Sequence, residues 1–329
     1  MEYVWLIVGF VLLIKGADWF VEGSSGIARL LKIPTIIIGL TVVAFGTSMP
    51  EASVSIHAAL QGDNSLAVSN VVGSNIFNLL VVLGMSALLC PVCCEKVAVK
   101  REMPLSIISA AALGVLLCFG TTFTESSELP LFSRLSGAQF TLGRIGGLVL
   151  LVIFAYYLFN QIRGALKNRQ QKAEIEENAK KKPLWLLLIM IAIGLAGIIF
   201  GGDLVVKSAV TIAETFGMSQ TFIGLTIVAI GTSLPELVTS MVAARKGESD
   251  LALGNVVGSN IFNIIFILGF SALVSPMTVD IATLYDIAIL IAVSLLALVL
   301  MARRMKVTRR QGILYLSIYI LYFVYILLR

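Results

Sequence analysis

Charge is scarce in this chain. Only 13% of its 329 residues are Asp, Glu, Lys or Arg, while 58% are hydrophobic and the mean hydropathy is +0.97. Water-soluble domains carry about 25% charged residues, so a soluble globular protein is excluded. A spanning helix takes about 20 apolar residues, so ten would use about 200–250 residues, leaving short connections and no room for a sizeable soluble domain. With one histidine, neither a histidine-based triad nor a multi-histidine metal centre can be built. Of four cysteines, Cys90, Cys93 and Cys94 share the run CPVCC. No second cluster or nearby histidine completes a zinc site there, and these thiols read as packing. The net charge of +5 does not point to nucleic acid, because the basic residues fall in short gaps between apolar runs, where they report orientation in a bilayer.

Apolar runs lie near residues 3–30, 34–60, 65–90, 103–120 and 138–162, then near 184–213, 219–244, 250–275, 283–302 and 311–328. The expectation is an all-α membrane protein of ten transmembrane helices. Its one hydrophilic stretch, including KNRQQKAEIEENAKKK, divides it into a first half (residues 1–163), a linker (164–183) and a second half (184–329). With ten spans, alternate connections fall on opposite sides, and 19 of the 24 Lys and Arg fall on the linker's side. Cytoplasmic loops carry the excess of basic residues, which predicts a cytoplasmic linker and both termini outside. Arg134, Arg329 and Arg144 remain on the other side.

A long internal repeat is the main signal. Residues 39–91 and 224–276 align without a gap at an offset of 185, with 31 of 53 positions identical. The identities include Gly, Thr, Ser, Pro, Glu and Asn, which shared hydrophobicity would not select. Each block sits in a five-span half. An odd number of spans makes the second half enter from the opposite face, so the repeats are inverted, an arrangement that suits transporters with sites at interrupted helices near the midplane.

The blocks share GTSMPE/GTSLPE and GSNIFN. Glu51 and Glu236 place carboxylates inside apolar spans, at a cost of at least about 2.5–3.5 kcal/mol each on insertion scales. Neither motif holds a Lys or Arg to neutralise them, whereas a bound cation would. Oxygen donors surround them at helical spacing: Thr47 and Ser48 before Glu51, Ser74 with Asn78 on the next span, and Thr232, Ser233, Ser259 and Asn263 in the second copy. Pro50 and Pro235 cannot donate to the preceding turn and predict kinked or discontinuous helices. Carboxylate, hydroxyl, amide and carbonyl oxygens form a ligand set for hard cations, calcium with 6–8 oxygens better than magnesium. The matched acids Asp18 and Asp203 read as residues orienting helix ends. No base is placed to activate the serines, and an enzyme is not expected.

GTSMPE with GSNIFN and GTSLPE with GSNIFN resemble the α-repeats of the sodium/calcium exchanger family, within the cation/calcium antiporters. The short linker resembles the compact prokaryotic type. The resemblance implies exchange of sodium for calcium by alternating access, with Glu51 and Glu236 as shared carboxylates. It implies sodium or calcium oxygens from Thr47, Ser48, Thr232, Ser233, Ser74 and Ser259, and backbone carbonyls from Ala44 and Ala229. Asn78 and Asn263 complete the cluster. Some members carry Asp at the position of Asn263, among them the potassium-dependent exchangers, so Asn weighs against potassium co-transport. The expected partners are calcium, sodium and membrane lipid in the cell (inner) membrane, with no cofactor, nucleic acid or obligate protein partner. The alternative is a calcium/proton or broader divalent cation/proton antiporter, since two acids can also carry protons.

Overall fold

The first apolar run forms a single helix, α1 (Glu2–Leu31), closed by Lys32 in the left-handed conformation ahead of Pro34. This computed structural model of the chain describes residues 1–122, 138–169, 182–218, 227 and 229–328. The next run is broken. Helices α2 (Thr35–Thr47) and α3 (Met49–Gln61) are bent by 50° at Ser48, where Pro50 stands in the first turn of the new helix. Proline lacks the N–H that would continue the ladder but is well suited to opening a helix. Gly62 at φ 81° and Asp63, whose carboxylate accepts the Leu66 N–H, then turn the chain into α4 (Asn64–Leu89).

Helices α5 (Ala98–Phe119) and α6 (Arg144–Arg169) complete the first half, and α7 (Leu184–Thr215) opens the second behind Pro183. The motif break recurs at Ser233, between α8 (Ala229–Thr232) and α9 (Leu234–Arg245), with Pro235 again in the first turn. Then come α10 (Ser249–Val274), α11 (Ile281–Arg304) and α12 (Arg309–Leu328). Among the described residues, eight helices are long and apolar enough to cross a membrane, nine if α2 and α3 are one bent span. The expected span near 219–244 falls partly on residues 219–226 and 228, outside the described residues, as do Arg134, Arg329 and linker residues 170–181.

Burial sorts these helices. The most apolar windows of α4 and α10 are 78% and 83% buried, against 17–39% for the other long helices, so the two GSNIFN segments form the centre. The surrounding helices turn large apolar side chains outward, among them Ile7, Ile145, Phe200 and Leu321, as a lipid-facing shell requires. Both central helices contain a π-helical stretch, Asn78–Val82 and Asn263–Leu268, a distortion frequent at functional sites. Two small antiparallel sheets clip connections together: β1 (Val92–Cys93) pairs with β5 (Lys306–Val307), and β3 (Gln139–Leu142) lies between β2 (Thr121–Thr122) and β4 (Met277–Val279).

Helices α1 and α7 pack backbone to backbone. A Cβ added at Gly194 would lie 2.6 Å from the Phe20 nitrogen, and one at Gly16 would lie 2.7 Å from the Gly194 carbonyl oxygen. In lipid there is little hydrophobic drive between helices, and small residues that allow such close approach supply the packing. Ion pairs join the same helix to its neighbours: Lys246 with Asp18 at 2.7 Å, Arg29 with Glu248 at 2.7 Å, and Lys182 with Glu22. Asp18 and Asp203 therefore do not orient helix ends. Both lie well inside their helices, and Asp203 pairs with Lys207 one turn on at 2.8 Å.

Candidate cation site

The helix breaks place each acid in the first turn of its new helix, Glu51 on α3 and Glu236 on α9, and both side chains are fully buried. The hydroxyls beside them bond crosswise. Ser48 Oγ donates to Glu236 Oε1 at 2.9 Å, and Ser233 Oγ donates to Glu51 Oε1 at 3.0 Å. Each acid is thus held by the serine of the other motif, which draws the two breaks into one cluster. From the central helices, Ser74 Oγ donates to Glu51 Oε1 at 3.1 Å and lies 2.9 Å from Ser233 Oγ, while Ser259 Oγ reaches Glu236 Oε1 at 3.5 Å.

Asn78 and Asn263 lie one turn beyond Ser74 and Ser259 on α4 and α10, fully buried, each donating its amide nitrogen to an asparagine of the other half. Thr47 donates to Asn255 Oδ1 at 3.0 Å. The Ala44 carbonyl accepts the Ser48 N–H at 3.1 Å. Ala229 opens α8, and its side chain lies outside the described residues. The Thr232 hydroxyl is buried beside Ser233 and has no hydrogen-bond partner among the described residues.

Four asparagines escaped the reading of single motifs. Asn70 donates to Ser55 Oγ at 2.9 Å and to the Glu51 carbonyl at 3.4 Å. Asn255 does the same to Ser240 and Glu236, again at 2.9 and 3.4 Å. Asn75 and Asn260 bond each other's backbone carbonyls. The signal was in the repeat: all four are identities at the 185 offset, and an amide kept twice in an apolar helix has a bond to make.

The electrostatics follow from what faces the acids. Buried polar atoms nearly always have partners, yet among the described residues Glu51 Oε2, Glu236 Oε2, Asn78 Oδ1, Asn263 Oδ1 and Thr232 Oγ1 have none. Four of these five are pure acceptors. Among the described residues, no Lys or Arg pairs with Glu51 or Glu236. Glu102 provides the contrast. Also buried, at the start of α5, it lies 3.4 Å from the Arg101 guanidinium and accepts from Gln161 at 2.9 Å. Glu102 has a cation beside it; among the described residues the central pair has none.

The profile of the family described as sodium/calcium exchanger protein matches residues 1–163 and 186–328. The chain belongs to the sodium/calcium exchanger family. It is 42% identical over 324 residues to the putative antiporter CaxA of Alkalimonas amylolytica, covering 97% of this chain and 96% of that protein. It is 33% identical to the sodium/calcium exchanger MaX1 of Methanosarcina acetivorans, covering 98% of each. A structure of the sodium-calcium exchanger NCX_Mj soaked with sodium and strontium superposes with a TM-score of 0.80 at 33% identity, over 98% of this chain and 97% of that one. Near-complete coverage in both directions makes this exchanger-family chain one of the compact type, as the short linker implied. It is an integral multi-pass membrane protein of a family of transporters, which is not a class of enzymes.

Proposed function

We propose that this chain is a secondary antiporter exchanging sodium for calcium by alternating access at the cluster around Glu51 and Glu236. The observation that carries the reading is the set of buried acceptor oxygens that, among the described residues, have no partner, around two acids that have no counter-charge there. Two carboxylates are neutralised by one calcium or by two sodium ions, so the two loads are electrostatically interchangeable at one site. Thr47, Ser48, Ser74, Thr232, Ser233 and Ser259 supply hydroxyl oxygens, Asn78 and Asn263 amide oxygens, and Ala44 and Ala229 backbone carbonyls. Calcium suits this set, since it accepts 6–8 oxygens at about 2.3–2.6 Å in flexible geometry. The bonds that repeat at the 185 offset support two five-helix halves, residues 1–163 and 184–329, of inverted orientation. The basic bias supports a cytoplasmic linker at 164–183 and termini outside.

The deciding experiment is uptake of radiolabelled calcium into proteoliposomes loaded with sodium, with the pH gradient clamped. Uptake that needs the outward sodium gradient is the expected result. Uptake driven by a pH gradient without sodium would instead assign calcium/proton exchange. In the same assay Ser48→Ala, which removes one neutral hydroxyl, is expected to weaken apparent sodium affinity by about 1 kcal/mol while leaving exchange measurable. Because protons compete with calcium for carboxylate oxygens, and the first proton taken up by two nearby acids relieves their mutual repulsion, calcium uptake should fall as external pH is lowered. A rate that stays flat from about pH 8 to about pH 5.5 would count against two mutually repelling acids sharing one site.

A further inference from the structure

Two backbone carbonyls fix the orientation of four side-chain amides. A carbonyl oxygen only accepts. The amide end of Asn75 lying 3.0 Å from the Asn260 carbonyl is therefore its nitrogen, and so is the end of Asn260 lying 3.2 Å from the Asn75 carbonyl. Each of these amides is left presenting its oxygen at the other end. Asn260 Oδ1 accepts the Asn78 nitrogen at 3.1 Å, and Asn75 Oδ1 accepts the Asn263 nitrogen at 3.0 Å. With their nitrogen ends committed, Asn78 and Asn263 have Oδ1 left over, and those two oxygens are among the buried acceptors that have no partner among the described residues. All four side chains are fully buried, so bulk water does not compete for these bonds.

We propose that Asn75 and Asn260 are positioning residues, which hold the amides of Asn78 and Asn263 oxygen-first toward the transported cation. The inference rests on the cation-site reading above and adds the device that sets the ligands' polarity. An amide turned end for end presents its N–H protons, the positive end of its dipole, to a cation. The control is crossed: Asn260 on α10 governs Asn78 on α4, and Asn75 on α4 governs Asn263 on α10. Each half of the molecule therefore orients the ligand contributed by the other.

A carboxylate tests this directly, because it carries oxygen at both ends and has no orientation to lose. The probe is the calcium ion alone, bound to purified full-length protein in detergent and read both as equilibrium radiolabelled binding and as the calcium-induced rise in Tm. Asn260→Leu is expected to weaken apparent calcium affinity about tenfold, the size of losing one hydrogen-bonding group to a charge. On an Asn78→Asp background the same substitution should cost less than about twofold, within the range of additivity error. On an Asn263→Asp background it should still cost about tenfold. The mirror variant Asn75→Leu should be rescued by Asn263→Asp and not by Asn78→Asp. Asn260→Ala, which removes the amide without adding bulk, replaces the leucine variant if that fails to fold.

Equal losses on every background would make these asparagines merely structural and overturn the proposal, and rescue by both aspartates alike would reduce it to added charge. In either case wild type would still bind calcium and the site would stand. A wild-type protein that binds no calcium would remove the site and this inference together.

Discussion

Replacing either Glu51 or Glu236 by Gln should abolish sodium-driven calcium uptake. The substitution keeps side-chain size and the capacity to accept a hydroxyl hydrogen bond, so Ser233 and Ser74 can still donate to position 51, and Ser48 and Ser259 to position 236. What it removes is half the charge that a divalent cation meets. Leaving a buried charge short of its partner costs about 3–5 kcal/mol, which is a fall in calcium affinity of more than about a hundredfold. Both variants should behave alike, because the two acids have the same burial and the same crosswise bonding. The sign on stability is opposite. In calcium-free detergent each variant should melt no lower than wild type, since a carboxylate with no counter-charge among the described residues has been removed from an apolar interior, while the rise in Tm on adding calcium should disappear. Near-normal uptake in either variant, measured in sodium-loaded proteoliposomes, would remove that acid from the site.

Gly194→Val should be nearly as damaging, for a reason unrelated to ions. The new Cβ would sit 2.6 Å from the Phe20 nitrogen and 2.7 Å from the Gly16 carbonyl oxygen. Both are backbone atoms of α1 that cannot rotate aside. The two helices must separate, along an interface where close approach supplies the packing, and overpacking of this kind costs about 3 kcal/mol or more. The expected outcome is a clear drop in Tm together with loss of exchange. Gly114→Ala on α5 serves as the control: its Cβ would make one ordinary contact, 3.5 Å from Ile287 Cγ2, and exchanging a mid-helix glycine for alanine gains about 0.5–1 kcal/mol of backbone entropy. Its Tm should hold or rise. A Gly194→Val protein with wild-type Tm and transport would show that the α1–α7 contact is looser than described.

The acids and their hydroxyls were legible in the sequence because a repeat of 31 identities in 53 positions separates residues with a task from residues that are merely apolar. The helix breaks were legible too, since Pro50 and Pro235 act through local chemistry. The crossing of the bonds was not. That Ser48 holds Glu236 and Ser233 holds Glu51, and that Asn75 and Asn260 exchange bonds with each other's backbone, depends on which helices abut, and no local pattern carries that information. The same holds for Glu102 and Gln161, which meet across 59 positions. Asp18 and Asp203 misled by symmetry. They match at the repeat offset, but Asp18 bonds to Lys246, whose counterpart in the first half is Gln61. Asp203 pairs instead with Lys207 of its own helix, and a reading that treated the halves as equal had no means of finding that difference.

The most direct test is the position of a bound ion. Crystals of this protein soaked in strontium, a larger calcium substitute with a strong anomalous signal, should show one dominant peak within bonding reach, slightly beyond calcium's about 2.3–2.6 Å, of Glu51 Oε2 and Glu236 Oε2. The Asn78 and Asn263 amide oxygens should border it, and the peak should fade as sodium is raised. A map with no peak between those carboxylates, or with the two acids sharing a proton in direct contact, from protein that still exchanges calcium, would contradict the account.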